Sequence, residues 1–177
     1  MAHILIAYFS RKGQNYVNGQ IKDLAKGNTE RVAEFIQQAA GGNLYHIETV
    51  KNYPEDYTRC TEEAKVELRA KARPVLKESP DSLDAWDTVF LGYPNWWGTM
   101  PMAVYTFLEK YDFTGKTIIP FCTHEGSGMG RSEGEIRKFC PEARVLGGIA
   151  IHGAEAAESA AEVSAWARDR VLEVREK

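Results

Sequence analysis

Five short apolar runs, separated by stretches with helical periodicity, constrain this chain more than any other feature. They are Ile4–Phe9, Leu44–Val50, Thr88–Tyr93, Thr117–Cys122 and Val145–Ile151. Continuous apolar runs suit parallel strands covered by helices on both faces, whereas Leu44–Val50 alternates as a less buried strand does. Between them, Thr29–Ala40 places Val32, Ala33, Ile36 and Ala39 on one helical face, with Asn28 as expected N-cap and Gly41-Gly42 as the stop. Glu55–Arg73 is a long polar helix with Ala64, Leu68 and Ala72 as its stripe, and Pro101–Lys110 begins with proline in its first turn. Ser132–Phe139 is a short helix, and Glu155–Arg175 carries Val163, Trp166, Ala167, Arg170 and Val174 at helical spacing.

This β-α-β-α-β-α-β-α-β pattern predicts an α/β, doubly wound three-layer sandwich around a five-stranded parallel sheet in the order 2-1-3-4-5. No repeat, low-complexity tract or linker divides residues 1–177, so a single domain is expected. Ligands of such sheets bind outside the carboxyl ends of strands 1 and 3. The loops after Phe9, Tyr93 and Thr123 therefore carry the functional question.

Composition removes several classes of function. With 44% hydrophobic and 27% charged residues the chain is globular rather than disordered. A net charge of −3 and the lack of a Lys/Arg stripe speak against nucleic acid. Cys60, Cys122 and Cys140 are odd in number and widely spaced, which predicts reduced thiols and no metal site. Ile4–Phe9 is too short to span a membrane, and the chain reads as soluble and cytoplasmic.

The first loop opens Ser10-Arg11-Lys12-Gly13 and closes Gly27-Asn28-Thr29-Glu30 at a helix start. Small polar side chains, free N–H groups and the helix dipole there suit a phosphate; the alternative is that Asn28 and Thr29 only cap the helix. No Walker A pattern is present. The second loop, Pro94-Asn95-Trp96-Trp97-Gly98, sets two tryptophans directly after a buried strand. They offer a wall to a planar ligand, or else fold back on the core or fill a dimer interface. The third, Thr123-His124-Glu125-Gly126-Ser127-Gly128-Met129-Gly130, is a backbone-exposing turn that matches neither the dinucleotide fingerprint nor a nucleophile elbow.

Together, Ala7-Tyr8-Phe9-Ser10, Gly27-Asn28-Thr29-Glu30-x-Val32-Ala33, Tyr93-Pro94-Asn95-Trp96-Trp97-Gly98 and Thr123-His124-Glu125-Gly126-Ser127-Gly128 resemble the flavodoxin family. The likeness is closest to its bacterial members with a Pro-x-Trp-Trp-Gly loop, and it covers nearly the whole chain in order. The resemblance implies FMN. Its phosphate would lie at Ser10, Asn28 and Thr29, one side of its ring at Pro94, Asn95, Trp96, Trp97 and Gly98 with an indole of Trp96 or Trp97 against it, and its pyrimidine edge at Thr123, His124, Glu125, Gly126, Ser127 and Gly128. One departure is the insert Gln14 to Lys26, which interrupts a phosphate loop that is contiguous in typical flavodoxins; it covers the ligand or forms a partner surface. The other is charge, since typical electron-carrying flavodoxins are far more acidic than net −3. His124 is the candidate tuner of reduced flavin, with Glu125 adjusting its protonation.

Three functions follow: an FMN electron carrier serving a redox partner protein; an NAD(P)H-dependent reductase of quinones, nitro or azo compounds; and, more distantly, a non-redox binding domain on the same scaffold. A homodimer that completes the pocket with its tryptophans is left open.

Overall fold

The computed structural model describes residues 2–176. Strand β1 (Ile4–Tyr8) leads into a hairpin, β2 (Gly13–Val17) and β3 (Gln20–Leu24), before helix α1 (Asn28–Ala40). Then come β4 (Asn43–His46), α2 (Tyr57–Ala70), β5 (Thr88–Pro94), α3 (Met102–Lys110), β6 (Thr117–His124) and α4 (Ser132–Phe139). The chain closes with β7 (Arg144–Val145), β8 (Ile149–His152), a 3₁₀ turn at Gly153–Glu158 and α5 (Ala160–Arg175).

The central sheet runs β4-β1-β5-β6 with β7 and β8 both on the far side of β6, every pair parallel. This is the expected 2-1-3-4-5 order with its fifth strand in two pieces. Ile118 pairs with Val145 and Phe121 with Ile149, so the break falls opposite Pro120, which has no N–H to give a ladder. The second strand is also shorter than its apolar run: the chain leaves the sheet after His46, and Val50 is exposed.

Side-chain alternation explains why the strand sequences lack alternation. In β1, Leu5 and Ala7 face one layer with Val104, Phe107 and Ile136, while Ile4, Ile6 and Tyr8 face the other with Val32, Ile36 and Val163. Both faces are dry, so every position is apolar. The long polar helix narrows to Tyr57–Ala70; it buries Cys60, Ala64 and Glu67, with Leu68 packed beside them and Ala72 beyond the helix end. Glu67 is tolerated inside because Tyr53 Oη donates to it at 2.8 Å and Lys51 lies 3.3 Å away. In α5 the buried stripe is Val163, Ala167 and Val171, with Trp166 edge-on to Phe90.

All three cysteines are free thiols. Among the described residues, no helix is long and apolar enough to cross a membrane. The parallel strands deliver the loops after Tyr8, Pro94, His124 and His152 to one edge of the sheet.

Candidate functional site

At that edge the chain after β1 turns so tightly that Gly27 is pressed against Ser10 and Arg11. A Cβ on Gly27 would overlap Ser10 Oγ and stand 2.7 Å from the Arg11 carbonyl oxygen. Gly27, not Asn28, is therefore the N-cap of α1, and the helix has no side-chain cap of its own. Ser10 supplies one from outside, its Oγ accepting the Glu30 N–H at 3.1 Å. The half-buried Asn28 side chain is released to face a cavity of about 150 Å³.

That cavity gathers Asn28, Thr29, Pro94, Asn95, Trp96, Thr123, His124, Glu125 and Ser127, all expected from the sequence. Thr29 Oγ1 and Thr123 Oγ1 share a buried 2.7 Å hydrogen bond that ties the first loop to the third. Asn95 joins the second loop to the third, its Nδ2 donating to the Gly128 carbonyl and its Oδ1 accepting the Gly98 N–H, each at 2.9 Å. Ser10 opens instead onto a neighbouring 540 Å³ cleft with Lys12, His46 and Lys51. Gly126 and Gly128 serve through their backbones and line neither cavity.

The adjacent tryptophans diverge. Trp96 packs edge-to-face on Phe9 at 5.1 Å and on Tyr53 at 5.3 Å. Trp97 is 47% exposed, donates Nε1–H to the Thr61 carbonyl at 2.8 Å, and has Lys65 Nζ 4.9 Å above its ring. A tight turn separates them: Trp97 (φ 57°) and Gly98 (φ 86°) are both left-handed, and Trp96 and Thr99 pair across it. A bulky residue at positive φ stores strain, and such strain clusters at functional sites. Here it turns the second indole outward onto α2, where it borders a slot of about 430 Å³.

The insert is the antiparallel hairpin β2–β3, closed at Asn18-Gly19, both with positive φ. It spans the site. Gln14 Oε1 accepts the Tyr57 N–H at 2.8 Å, the Tyr16 and Tyr57 rings stack at 5.9 Å, and the Asn18 N–H reaches Glu125 Oε2 at 3.2 Å. Arg11, Asn15, Tyr16, Tyr57 and Gly153 also line the cavity, Asn15 and Tyr16 from the insert read above as a ligand cover or partner surface and the others not among the expected site residues. The Asn-Gly pair flanked by Tyr16-Val17 and Gln20-Ile21 was the available signal for the first three. No local pattern marks Gly153, where a Cβ would overlap Glu125 Oε1 and lie 2.8 Å from Asn28 Nδ2.

Burial and the neighbouring His152, whose ring centroid is 5.6 Å away, hold the His124 pKa below its usual value against the opposing pull of Glu125 and Glu155. His124 Nδ1 accepts the Gly126 N–H at 2.9 Å, so the neutral ring carries its proton on Nε2. The carboxylate of Glu125 lies 3.8 Å from His152 Nε2 and holds the hairpin tip.

A doubly wound sheet whose loops close a cleft over the carboxyl ends of β1, β5 and β6 defines an α/β protein with its ligand site at that edge. Structural likeness agrees. A Bacteroides eggerthii protein provisionally named a flavoprotein is 31% identical, with a TM-score of 0.75 over 94% of this chain and 96% of that one. A Bacteroides uniformis protein with the same provisional name matches equally, over 94% and 98%. A Lactobacillus acidophilus flavoprotein in complex with FMN shares the fold at 16% identity, with a TM-score of 0.64 over 85% of this chain and 93% of that one. No curated protein sequence matches. The flavodoxin family profile covers residues 3–169, and the chain belongs to the flavodoxin family.

Proposed function

We propose that this protein binds FMN across the two adjoining cavities and passes electrons through it. The observation that carries the reading is the start of α1: a helix without its own side-chain cap, opening on a cavity walled by the Pro94–Gly98 and Thr123–Gly128 segments. The donor set suits a phosphate ester. Asn28 offers its side-chain amide and the main-chain N–H groups of Asn28 and Thr29 lie on the first turn, while Ser10 fixes that turn by holding Glu30. The Thr29–Thr123 pair sets the spacing between the phosphate end and the ring end. Asn95 locks the two ring-side loops into one wall. FMN-bound proteins of this fold, from Lactobacillus acidophilus and Fusobacterium nucleatum, support the choice of ligand.

Bound FMN supplies a carrier of one or two electrons, and the protein's part is to hold it and set its environment. His124 presents a neutral Nε2–H donor to the cleft, favouring negative charge that develops beside it through a hydrogen bond and not through a cation. The Phe9–Tyr53–Trp96 cluster backs the ring wall.

A second reading, NAD(P)H-dependent reduction of quinone, nitro or azo compounds, is favoured by the 430 Å³ slot beside the site, a volume suited to a small molecule. Titrating FMN into the protein while following flavin fluorescence tests the first reading. Stoichiometric quenching is expected, and unchanged fluorescence would refute it. Steady-state oxidation of NAD(P)H with a quinone separates reductase from carrier.

A further inference from the structure

The slot has two walls, and both share residues with the proposed flavin cavity, Asn95, Trp96 and Ser127 on one and Arg11 and Tyr57 on the other. Asn95–Gly98 and Ser127 form the first. The opposite wall is the N-terminal half of α2, with Tyr57, Cys60, Thr61 and Ala64, closed at one end by Arg11. We propose that this second wall is the seat of a planar aromatic electron acceptor bearing an anionic or carbonyl oxygen, and that Arg11 receives that oxygen.

Charge selects the ligand class. Among the residues lining the slot Arg11 alone is ionised, and no carboxylate faces it. At the rim, Lys65 on the Trp97 ring adds a second positive charge. Arg11 is also preorganised, its Nε donating to the Gln14 carbonyl at 3.1 Å and its Nη2 to the Glu55 carbonyl at 2.8 Å. Those two bonds fix the guanidinium plane between the hairpin and α2, beside the Cys60 thiol. Burial pushes the Cys60 thiol up against the opposing pull of the adjacent Arg11 guanidinium, so that it stays protonated in the wall. Tyr57 on the hairpin side and Trp97 at the rim supply aromatic surface for a flat ring. An acceptor oxygen gains negative charge as it takes electrons, and a fixed guanidinium stabilises that charge without reorganising.

The inference rests on the FMN reading, and the test separates the two. The probe is 1,4-naphthoquinone-2-sulfonate, titrated calorimetrically into the FMN-loaded protein with no reductant present, so that binding alone is read. In protein saturated with FMN, Arg11→Gln is expected to weaken the probe about ten- to a hundredfold, as loss of a charge-assisted hydrogen bond does. Arg11→Lys restores part of it, and neutral 1,4-naphthoquinone loses less than the sulfonate. Thr61→Phe fills the seat from α2 and is expected to abolish probe binding while retaining FMN. Should Arg11→Gln fail to fold, because it releases two backbone carbonyls, or fail to hold FMN, because Arg11 also borders that cavity, Thr61→Phe decides alone. Unchanged probe binding in either variant overturns the proposal. A wild-type protein that takes up no FMN refutes the earlier reading before any variant is made.

Discussion

Replacing Gly27 by alanine tests how the first loop is built. Gly27 is extended (φ −64°, ψ 150°), a conformation alanine adopts freely, so any cost comes from space alone. The added methyl would overlap Ser10 Oγ and press on the Arg11 carbonyl oxygen at 2.7 Å, which is backbone and cannot rotate away. Overpacking of this kind costs about 1–3 kcal/mol. Pushing Ser10 aside also breaks its bond to the Glu30 N–H, worth about 1 kcal/mol for a helix cap. The sum is about 2–4 kcal/mol, which lowers Tm by roughly 4–16 °C in a chain of this length. Urea denaturation of the flavin-free protein, followed by circular dichroism, measures it directly. Ser10→Ala alone should cost about 1 kcal/mol, and the double variant should recover part of the Gly27→Ala loss because one of the two overlaps is gone. A Gly27→Ala protein within about 0.5 kcal/mol of wild type would refute the packing argument, since surface substitutions away from special features fall in that range.

Other outcomes are equally accessible. Thr29→Val leaves the buried Thr123 hydroxyl unpaired and should cost about 1–3 kcal/mol, whereas the Thr29→Val/Thr123→Val pair should be nearly neutral; additive losses in the double-mutant cycle would contradict the shared bond. Trp96→Ala removes two edge-to-face contacts with Phe9 and Tyr53 and should cost about 2–4 kcal/mol in urea denaturation, more than Trp97→Ala at about 1 kcal/mol; the reverse order would sink the divergence of the two indoles. His124 binds its proton less tightly folded than unfolded, so the unfolded chain takes up more protons as pH falls. Its effect is therefore absent above about pH 7, where both states are neutral, and stability is lost as pH drops through about 6.5 toward the lower folded value. His124→Gln should flatten that slope between pH 7.5 and 5, and an unaltered slope would exclude His124 as its source.

The layered architecture was legible because it follows from short-range periodicity. Runs such as Ile4–Phe9 are apolar at every position only if both faces are buried, and the intervening helices supply the cover. Right-handed crossovers then leave few strand orders, and the sheet adopts the one expected. Parallel strands send their loops to a common edge, which is why nine of the expected residues line one cavity. The split of the last strand was less visible, because it depends on Pro120 in the neighbouring strand and not on Leu146 to Gly148 themselves. Asn18-Gly19 did carry a local hairpin signal, but nothing near it says where the hairpin docks.

Tertiary structure decided the rest of the site. The pair Trp96-Trp97 reads as one aromatic feature, yet a turn held by Asn95 and Thr99 sends one indole into the core and the other onto α2. Asn28 lost the N-cap to Gly27 because of crowding by Ser10 and Arg11, residues on the far side of the hairpin. Asn18 and Glu125 are 107 positions apart and meet in one hydrogen bond. Periodicity records which side of an element is dry, and that much is written locally in the sequence. Which side chains meet across a cleft depends on the packing of distant elements, and for that the chain had to be folded.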